Sequence, residues 1–199
     1  VFFFFWAGFV GEDGVTHQGL YDLSYLSHVP NLTILSPGDA NELESALKYA
    51  LSLNSPVVIR YSKYFQGGLE LPSVEYSEKK WTIVKEGKDG VILAVGSNPL
   101  KIALEIKEKA KTDFAVVNAR MVKPLDNELL GSFKGKKVVT IEENSVIGGF
   151  SSMVNSYYLN TDTTIYNFGA KDQFVSHAEI EEQMKNNGLE VENILRKVN

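Results

Sequence analysis

The sequence contains no cysteine. That absence excludes a disulfide framework and thiolate metal sites, and it accords with a cytoplasmic location. Histidine is nearly as scarce, with only His17, His28 and His177. Positive charge is in deficit: 20 Lys and Arg stand against 25 Asp and Glu, for a formal net charge of −5. Neither nucleic acid nor an anionic membrane surface is therefore expected as a partner. Long apolar runs are also missing. Val1-Phe2-Phe3-Phe4-Phe5-Trp6 is far shorter than the roughly 20 residues that span a bilayer, and no basic segment precedes it as in a signal peptide. It reads as a buried strand that begins inside a domain. There is no Walker loop, no dinucleotide fingerprint with a downstream acid, and no Ser/His/Asp signature.

What is present suffices for an ordinary core, since 44% of the 199 residues are hydrophobic and 11% aromatic. The first part reads as strand 1–6, a loop 7–19 with four glycines, a short helix 20–27 and a strand 32–35. Asp39-Ala40-Asn41-Glu42 has the form of a capping box, and Ala40, Leu43, Leu47 and Ala50 then recur on one helical face. Val57–Arg60 is a β-branched strand. Alternating strand and helix predict a parallel sheet covered on both faces. Residues 66–79, with Gly67-Gly68, Pro72 and mixed charge, read as a linker. A second α/β unit follows over 80–199, with strands at 80–85, 91–95, 114–118, 137–141 and 163–168. Asn98-Pro99 predicts a cap and a proline at the first helical position. Val146, Ile147, Phe150, Met153, Val154, Tyr157 and Tyr158 predict one buried helix, Ser176 to Glu179 a second capping box, and Val191, Ile194, Leu195 and Val198 a terminal helix. The division is an incomplete α/β domain (1–65), a linker (66–79) and a complete α/β domain (80–199).

His17 lies in the glycine-rich loop after the first strand, where open α/β sheets place ligand sites. Gly11 and Gly14 let Asp13 and His17 point into one cleft, where an imidazole exchanges a proton near neutral pH and a carboxylate orients it. The alternative is a loop histidine that caps the following helix. Glu12, Asp13 and His17 lack a further ligand at metal-site spacing, so no metal is expected there. His28 reads as a helix-end residue and His177 as structural. Glu142-Glu143-Asn144 reads as acid at a helix start, with a subunit contact as the second possibility. Arg60 and Lys63, leaving the end of a strand, are candidates for binding an anionic group.

The run Gly11-Glu12-Asp13-Gly14-Val15-Thr16-His17-Gln18-Gly19-Leu20-Tyr21-Asp22-Leu23-Ser24-Tyr25-Leu26 resembles the 1-deoxy-D-xylulose-5-phosphate synthase family of the transketolase superfamily. Val29-Pro30-Asn31, Asn41-Glu42-Leu43, Val122-Lys123-Pro124-Leu125-Asp126, Glu142-Glu143-Asn144 and Gly148-Gly149-Phe150 extend the likeness over nearly the whole chain. The resemblance implies a partial pyrimidine-binding-type α/β domain followed by a complete transketolase C-terminal-type three-layer α/β/α domain. It also implies a thiamine-diphosphate and Mg2+ enzyme, cytoplasmic and homodimeric, that decarboxylates pyruvate and joins the remaining two carbons to D-glyceraldehyde 3-phosphate. His17 and Asp13 would be catalytic, and Lys63 and Arg60 would bind substrate. The diphosphate-binding domain and the glutamate that activates the aminopyrimidine are not in this sequence, so it is expected to be inactive alone and to bind neither cofactor. Phe5-Trp6 stands where the family has Asp-Arg, and Ser62-Lys63 departs from the Pro that follows Arg-Tyr in the family. Two other readings remain: a separately encoded transketolase-like subunit, and a non-catalytic dimerisation module.

Overall fold

The computed structural model describes residues 1–64, 69, 71, 75–77 and 80–199. Strands β1 (Phe2–Phe4), β2 (Thr33–Leu35) and β3 (Val57–Arg60) form a parallel sheet in the order β1-β3-β2, with α1 (Asp22–Leu26) and α2 (Ala40–Ser52) in the connections. The capping box opens α2 as expected: the Asp39 carboxylate accepts the Glu42 N–H at 2.8 Å, and the Glu42 carboxylate accepts the Gly38 N–H at 2.7 Å. Of the predicted apolar face, Ala50 is buried and Leu43 and Leu47 are partly so, while Ala40 is exposed and Ala46 takes its place.

The second sheet runs β4 (Thr82–Lys85), β6 (Phe114–Asn118), β5 (Gly90–Val95), β8 (Lys137–Ser145), β9 (Thr164–Ala170), parallel except where β4 meets β6. Alternate residues of its central strands face opposite ways. Ile92, Ala94 and Val116 pack with Ala103, Ile106 and Ile194 of helices α3 (Ser97–Lys109) and α7 (Val191–Val198). Val91, Leu93 and Val117 pack on the other side with Phe150 and Val154 of helix α5 (Phe150–Tyr157). Three layers result, α/β/α. The remaining helices are α4 (Asn127–Gly131) and α6 (Ile180–Asn186).

A short strand unforeseen in the sequence joins the two sheets. β7 (Met121–Lys123) leaves the second sheet after β6 and pairs antiparallel with β2 of the first. The apolar cluster on that side accordingly draws from both sheets, uniting Ile34, Leu35 and Ile59 with Val91, Leu93 and Phe150. The predicted linker 66–79 falls mostly outside the described residues. Within it, Tyr76 is buried, with the Arg120 guanidinium 4.3 Å from its ring centroid.

Four expectations need correcting. The opening run is a strand but not a buried one, with Phe2 62%, Phe3 47% and Phe5 57% exposed. It pairs only with β3, at the edge of its sheet. Helix α3 starts at Ser97, so Asn98 and Pro99 lie inside its first turn, where a proline costs no hydrogen bond. Val146 and Ile147 precede α5 instead of belonging to it, because Gly148 turns the chain with φ 72°. Ser176 does not cap α6, whose cap position is Glu179, without a side-chain cap bond.

A buried ion pair fastens the link between β6 and β7 to α2. Arg120 is 1% exposed, and its Nη1 donates to Glu42 Oε1 at 3.2 Å, while Asn118 Nδ2 donates to Glu42 Oε2 at 2.7 Å. Removing one member of such a pair strands a charge away from water, at a cost of about 3–5 kcal/mol. Arg120→Met is expected to lower urea stability by about that amount. A loss below about 1 kcal/mol would show that Glu42 finds other compensation.

Candidate active site

The loop between β1 and α1 is pinched shut at its neck. Gly8 N–H donates to the Gly19 carbonyl at 2.7 Å, and Gly19 N–H returns to the Gly8 carbonyl at 2.9 Å. Only glycine fits here: a Cβ at position 19 would stand 1.8 Å from the Trp6 carbonyl oxygen, and Gly8 has φ +90°. Between the glycines, two 3-10 turns, Gly11–Asp13 and Val15–His17, bring Asp13 and His17 toward the surface. Gln18 staples the loop from within, accepting the Val10 N–H and donating to the Gly14 carbonyl, each at 3.1 Å.

Outside this neck a cluster forms around Trp6. The Lys63 ammonium is hydrogen-bonded to the Asp13 carboxylate. It also lies 5.0 Å from the Trp6 ring centroid and 5.4 Å from that of Tyr64. The bond to Asp13 raises the Lys63 pKa above its ordinary value. On Trp6 the His17 imidazole packs at 5.4 Å between centroids, and His17 Nδ1 is 2.9 Å from Thr16 Oγ1. His17 is exposed, so it can meet a ligand. Beside the cluster opens a cleft of about 300 Å³ lined by Phe3, Phe5, Trp6, Gln18, Tyr21 and Tyr25 among others.

Three of the four predicted site residues thus come together: Lys63 bonds Asp13, and Trp6 packs against both Lys63 and His17. Arg60 does not join them. It is 2% exposed, and its Nε and Nη2 donate to the two Asp22 oxygens at 2.6 and 3.1 Å. Nη2 also donates to the Glu143 carbonyl at 3.3 Å. Burial opposes the Arg60 charge, but Asp22 outweighs it and raises the pKa. The expectation that Arg60 binds an anionic group is corrected accordingly: the guanidinium is already committed to an internal carboxylate. Asp22 sits in the first turn of α1, and nothing in the linear sequence pairs it with a residue 38 positions away.

Glu142 and Glu143 lie on β8 and not in a loop, so they point to opposite sides. Glu142 fulfils the helix-start reading, accepting the Phe150 and Ser151 N–H groups at 2.8 Å each and the Ser151 hydroxyl. Glu143 instead faces the loop. Asn98 Nδ2 donates to both its oxygens at 3.2 Å, and the Phe9 N–H donates to Oε1 at 3.4 Å. Burial pushes the Glu142 pKa up to about 7, against the Ser151 and Phe150 donors and Arg60. It likewise pushes Glu143 up to about 7, against Asn98, Arg60 and the Phe9 N–H. His28 behaves as a helix-end residue, its Nδ1 donating to the Ser24 carbonyl at 2.8 Å. His177 is exposed.

The description "Transketolase, C-terminal domain" matches residues 79–194, and "Transketolase, pyrimidine binding domain" matches residues 1–65. The chain belongs to the transketolase family. Within it, the chain is 40% identical over 200 residues to 1-deoxy-D-xylulose-5-phosphate synthase of Clostridium tetani and 42% identical over 200 residues to that of Carboxydothermus hydrogenoformans. Each alignment covers 96% of this chain and 32% of the relative. The chain therefore spans about a third of the length of these relatives. A solved structure described as a split gene transketolase, inactive beta4 tetramer, superposes with TM-score 0.83 at 29% identity, over 92% of this chain and 62% of that one. Transketolase from Campylobacter jejuni shares the fold, with TM-score 0.79 at 22% identity over 98% of this chain and 30% of that one.

Transketolase-family membership raises the question of thiamine diphosphate and its metal ion. Among the described residues no group of three His, Asp or Glu is placed to hold a metal, and the Asp13 carboxylate is bonded to Lys63. The buried carboxylates Asp22, Glu42, Glu142 and Glu143 are each engaged by donors of the chain itself. The described residues do not fit the diphosphate and its cation.

The two raised carboxyls give a pH dependence of stability with a definite sign. Between about 4.5 and about 7 the folded chain keeps protons that the unfolded chain has released. The stability these groups contribute is therefore full below about 4.5 and lost as pH rises through about 7. In urea unfolding at about pH 5 and about pH 8, Glu142→Gln is expected to flatten that decline. A slope identical to wild type would refute the assignment.

Proposed function

We propose that this chain is part of a thiamine-diphosphate-dependent, transketolase-type synthase that condenses pyruvate with D-glyceraldehyde 3-phosphate to 1-deoxy-D-xylulose 5-phosphate and carbon dioxide. Its role there is the acceptor-side wall of the site. Magnesium, the diphosphate-binding domain and a homodimeric partner belong to the longer protein, which works in the cytoplasm. The 40% and 42% identities to curated synthases support the reaction class. The observation that carries the reading is local: Asp13 and His17 stand on a loop fixed at its neck, Lys63 bonds Asp13, and Trp6 packs against both Lys63 and His17. His17 moves a proton at the acceptor carbonyl oxygen, and Asp13 orients the acceptor beside it. Lys63 is the one site cation whose partner is a surface carboxylate, so its ammonium can shift from Asp13 to an anionic group of the acceptor.

A second reading, a separately encoded subunit completed by a partner chain, is favoured by the likeness to the split gene transketolase. Both readings expect this chain to be inactive alone.

In the active enzyme, His17→Ala and Asp13→Asn are expected to cut turnover by about a hundredfold or more while leaving cofactor affinity nearly unchanged. Unchanged turnover in both variants removes the loop from the mechanism. Lys63→Met is expected to raise the acceptor KM about tenfold and leave that of pyruvate alone, as loss of one charge contact would. Calorimetric titration of this chain with thiamine diphosphate and Mg2+ should show no micromolar binding, and micromolar binding would overturn the division of labour.

A further inference from the structure

The loop that carries Asp13 and His17 is gripped at two points by side chains from the far part of the chain. The first is Glu143 at the end of β8. Its carboxylate accepts the Phe9 N–H at 3.4 Å, and it is held from behind by Asn98 of α3 at 3.2 Å. Contact at the neck is close: a Cβ on Gly8 would come within 2.9 Å of three Glu143 atoms. The second grip is Gln183 of α6, which is 1% exposed. Its Oε1 accepts the Gly11 N–H and its Nε2 donates to the Gly11 carbonyl, both at 2.9 Å. Nε2 also donates to the Ser176 carbonyl at 2.9 Å, fixing the amide's orientation. Gly11 has φ +62° and a Cβ there would lie 3.1 Å from Ile180 Cγ1, so the backbone runs directly against α6. The two grips are 134 and 172 residues away in sequence from what they hold.

We infer that Glu143 and Gln183 are positioning residues for the loop, clamping it at Phe9 and Gly11 and thereby setting where Asp13 and His17 stand. The inference rests on the reading that this loop serves the acceptor. Neither side chain touches the exposed cluster, so each acts through the backbone between Gly8 and Asp13. A misplacement of about an ångström at a reacting group costs rate steeply, which makes such anchoring consequential.

The two clamps differ in one testable respect. Gln183 does not titrate. Glu143 does, and the charged group that faces it is Arg60 from β3, itself paired with Asp22 of α1, while Glu142 on β8 points to the opposite side of the strand. Asn98 and the Phe9 N–H are neutral donors that need an acceptor. Burial makes Glu143 hold a proton below about 7 while the loop is closed, and exposure to water on opening releases it, so the clamp tightens as pH falls through about 7.

Hydrogen–deuterium exchange of residues 8–19 in the full chain tests this. Glu143→Gln keeps the shape but offers one oxygen only. Turned one way, its NH2 faces Asn98, and turned the other way it faces the Phe9 N–H. Gln183→Met keeps the volume and removes both bonds to Gly11. Each variant is expected to speed exchange of the loop at least tenfold, with β5 and β6 protected as in wild type, which also shows that the variant is folded. After correction for the intrinsic pH dependence of exchange, loop opening should decrease from about pH 8 to about pH 6 in wild type and in Gln183→Met. It should be flat in Glu143→Gln. Loop exchange unchanged in both variants overturns the inference. In the active enzyme each variant is expected to lower kcat/KM for the acceptor at least tenfold while donor decarboxylation alone stays within twofold. Faster loop exchange with acceptor kinetics unaltered also overturns the inference. Faster loop exchange in an enzyme whose wild type makes no 1-deoxy-D-xylulose 5-phosphate keeps the clamp and removes the synthase reading.

Discussion

A guanidinium sealed from water organises the junction of this molecule. Arg60 ends β3, pairs through two nitrogens with Asp22 at the start of α1, and donates to the carbonyl of Glu143 on β8. Three distant segments are thus tied to one planar ion. Its charge cannot be relinquished: burial works against it, yet the nearby carboxylates hold it protonated. A buried ion of this kind adds little to stability when paired, but its loss leaves Asp22 alone in the interior. Its value lies in specifying one arrangement of strand end, helix start and β8, because few geometries satisfy the guanidinium's donors at once. The loop between Trp6 and Leu20 is then built on fixed ground at both ends.

From that ground the site's chemistry follows a gradient of exposure. Arg60 and Asp22 are interior, Glu143 and Gln183 are nearly so, and Asp13, Lys63 and His17 reach the surface. Groups that must keep one orientation are dry and fully bonded, while those that must meet a ligand are wet and hold partners they can exchange. Trp6 sits between the regimes, offering one aromatic surface to the Lys63 charge and the His17 ring.

The sequence was legible mainly where its signals were local, although the local capping box at Ser176 and the helical spacing of Val146 and Ile147 were not realised. The capping box of α2, the apolar runs that form β5 and β6, and the glycine turns around Asp13 and His17 all depend on neighbours within a few residues. It misled where a partner lay far along the chain. Arg60 reads as a surface cation because its carboxylate is 38 residues back, and β7 leaves no mark because three residues pairing with a remote edge carry no periodicity. Glu142-Glu143 reads as one acidic patch, although strand geometry sends the two carboxylates to different tasks. Phe2, Phe3 and Phe5 have a buried strand's composition and are nonetheless exposed, since burial depends on what lies across a strand as well as on the strand itself.

The short strand β7 carries a consequence for how such a protein can be divided. Because Met121–Lys123 extends the sheet begun by residues near the amino end, the two halves are interleaved and do not resemble beads on a string. A break between them, by protease or by gene fission, would take a strand from one sheet and open the apolar cluster they share. A cut that leaves both sheets whole has to fall outside the pair they form.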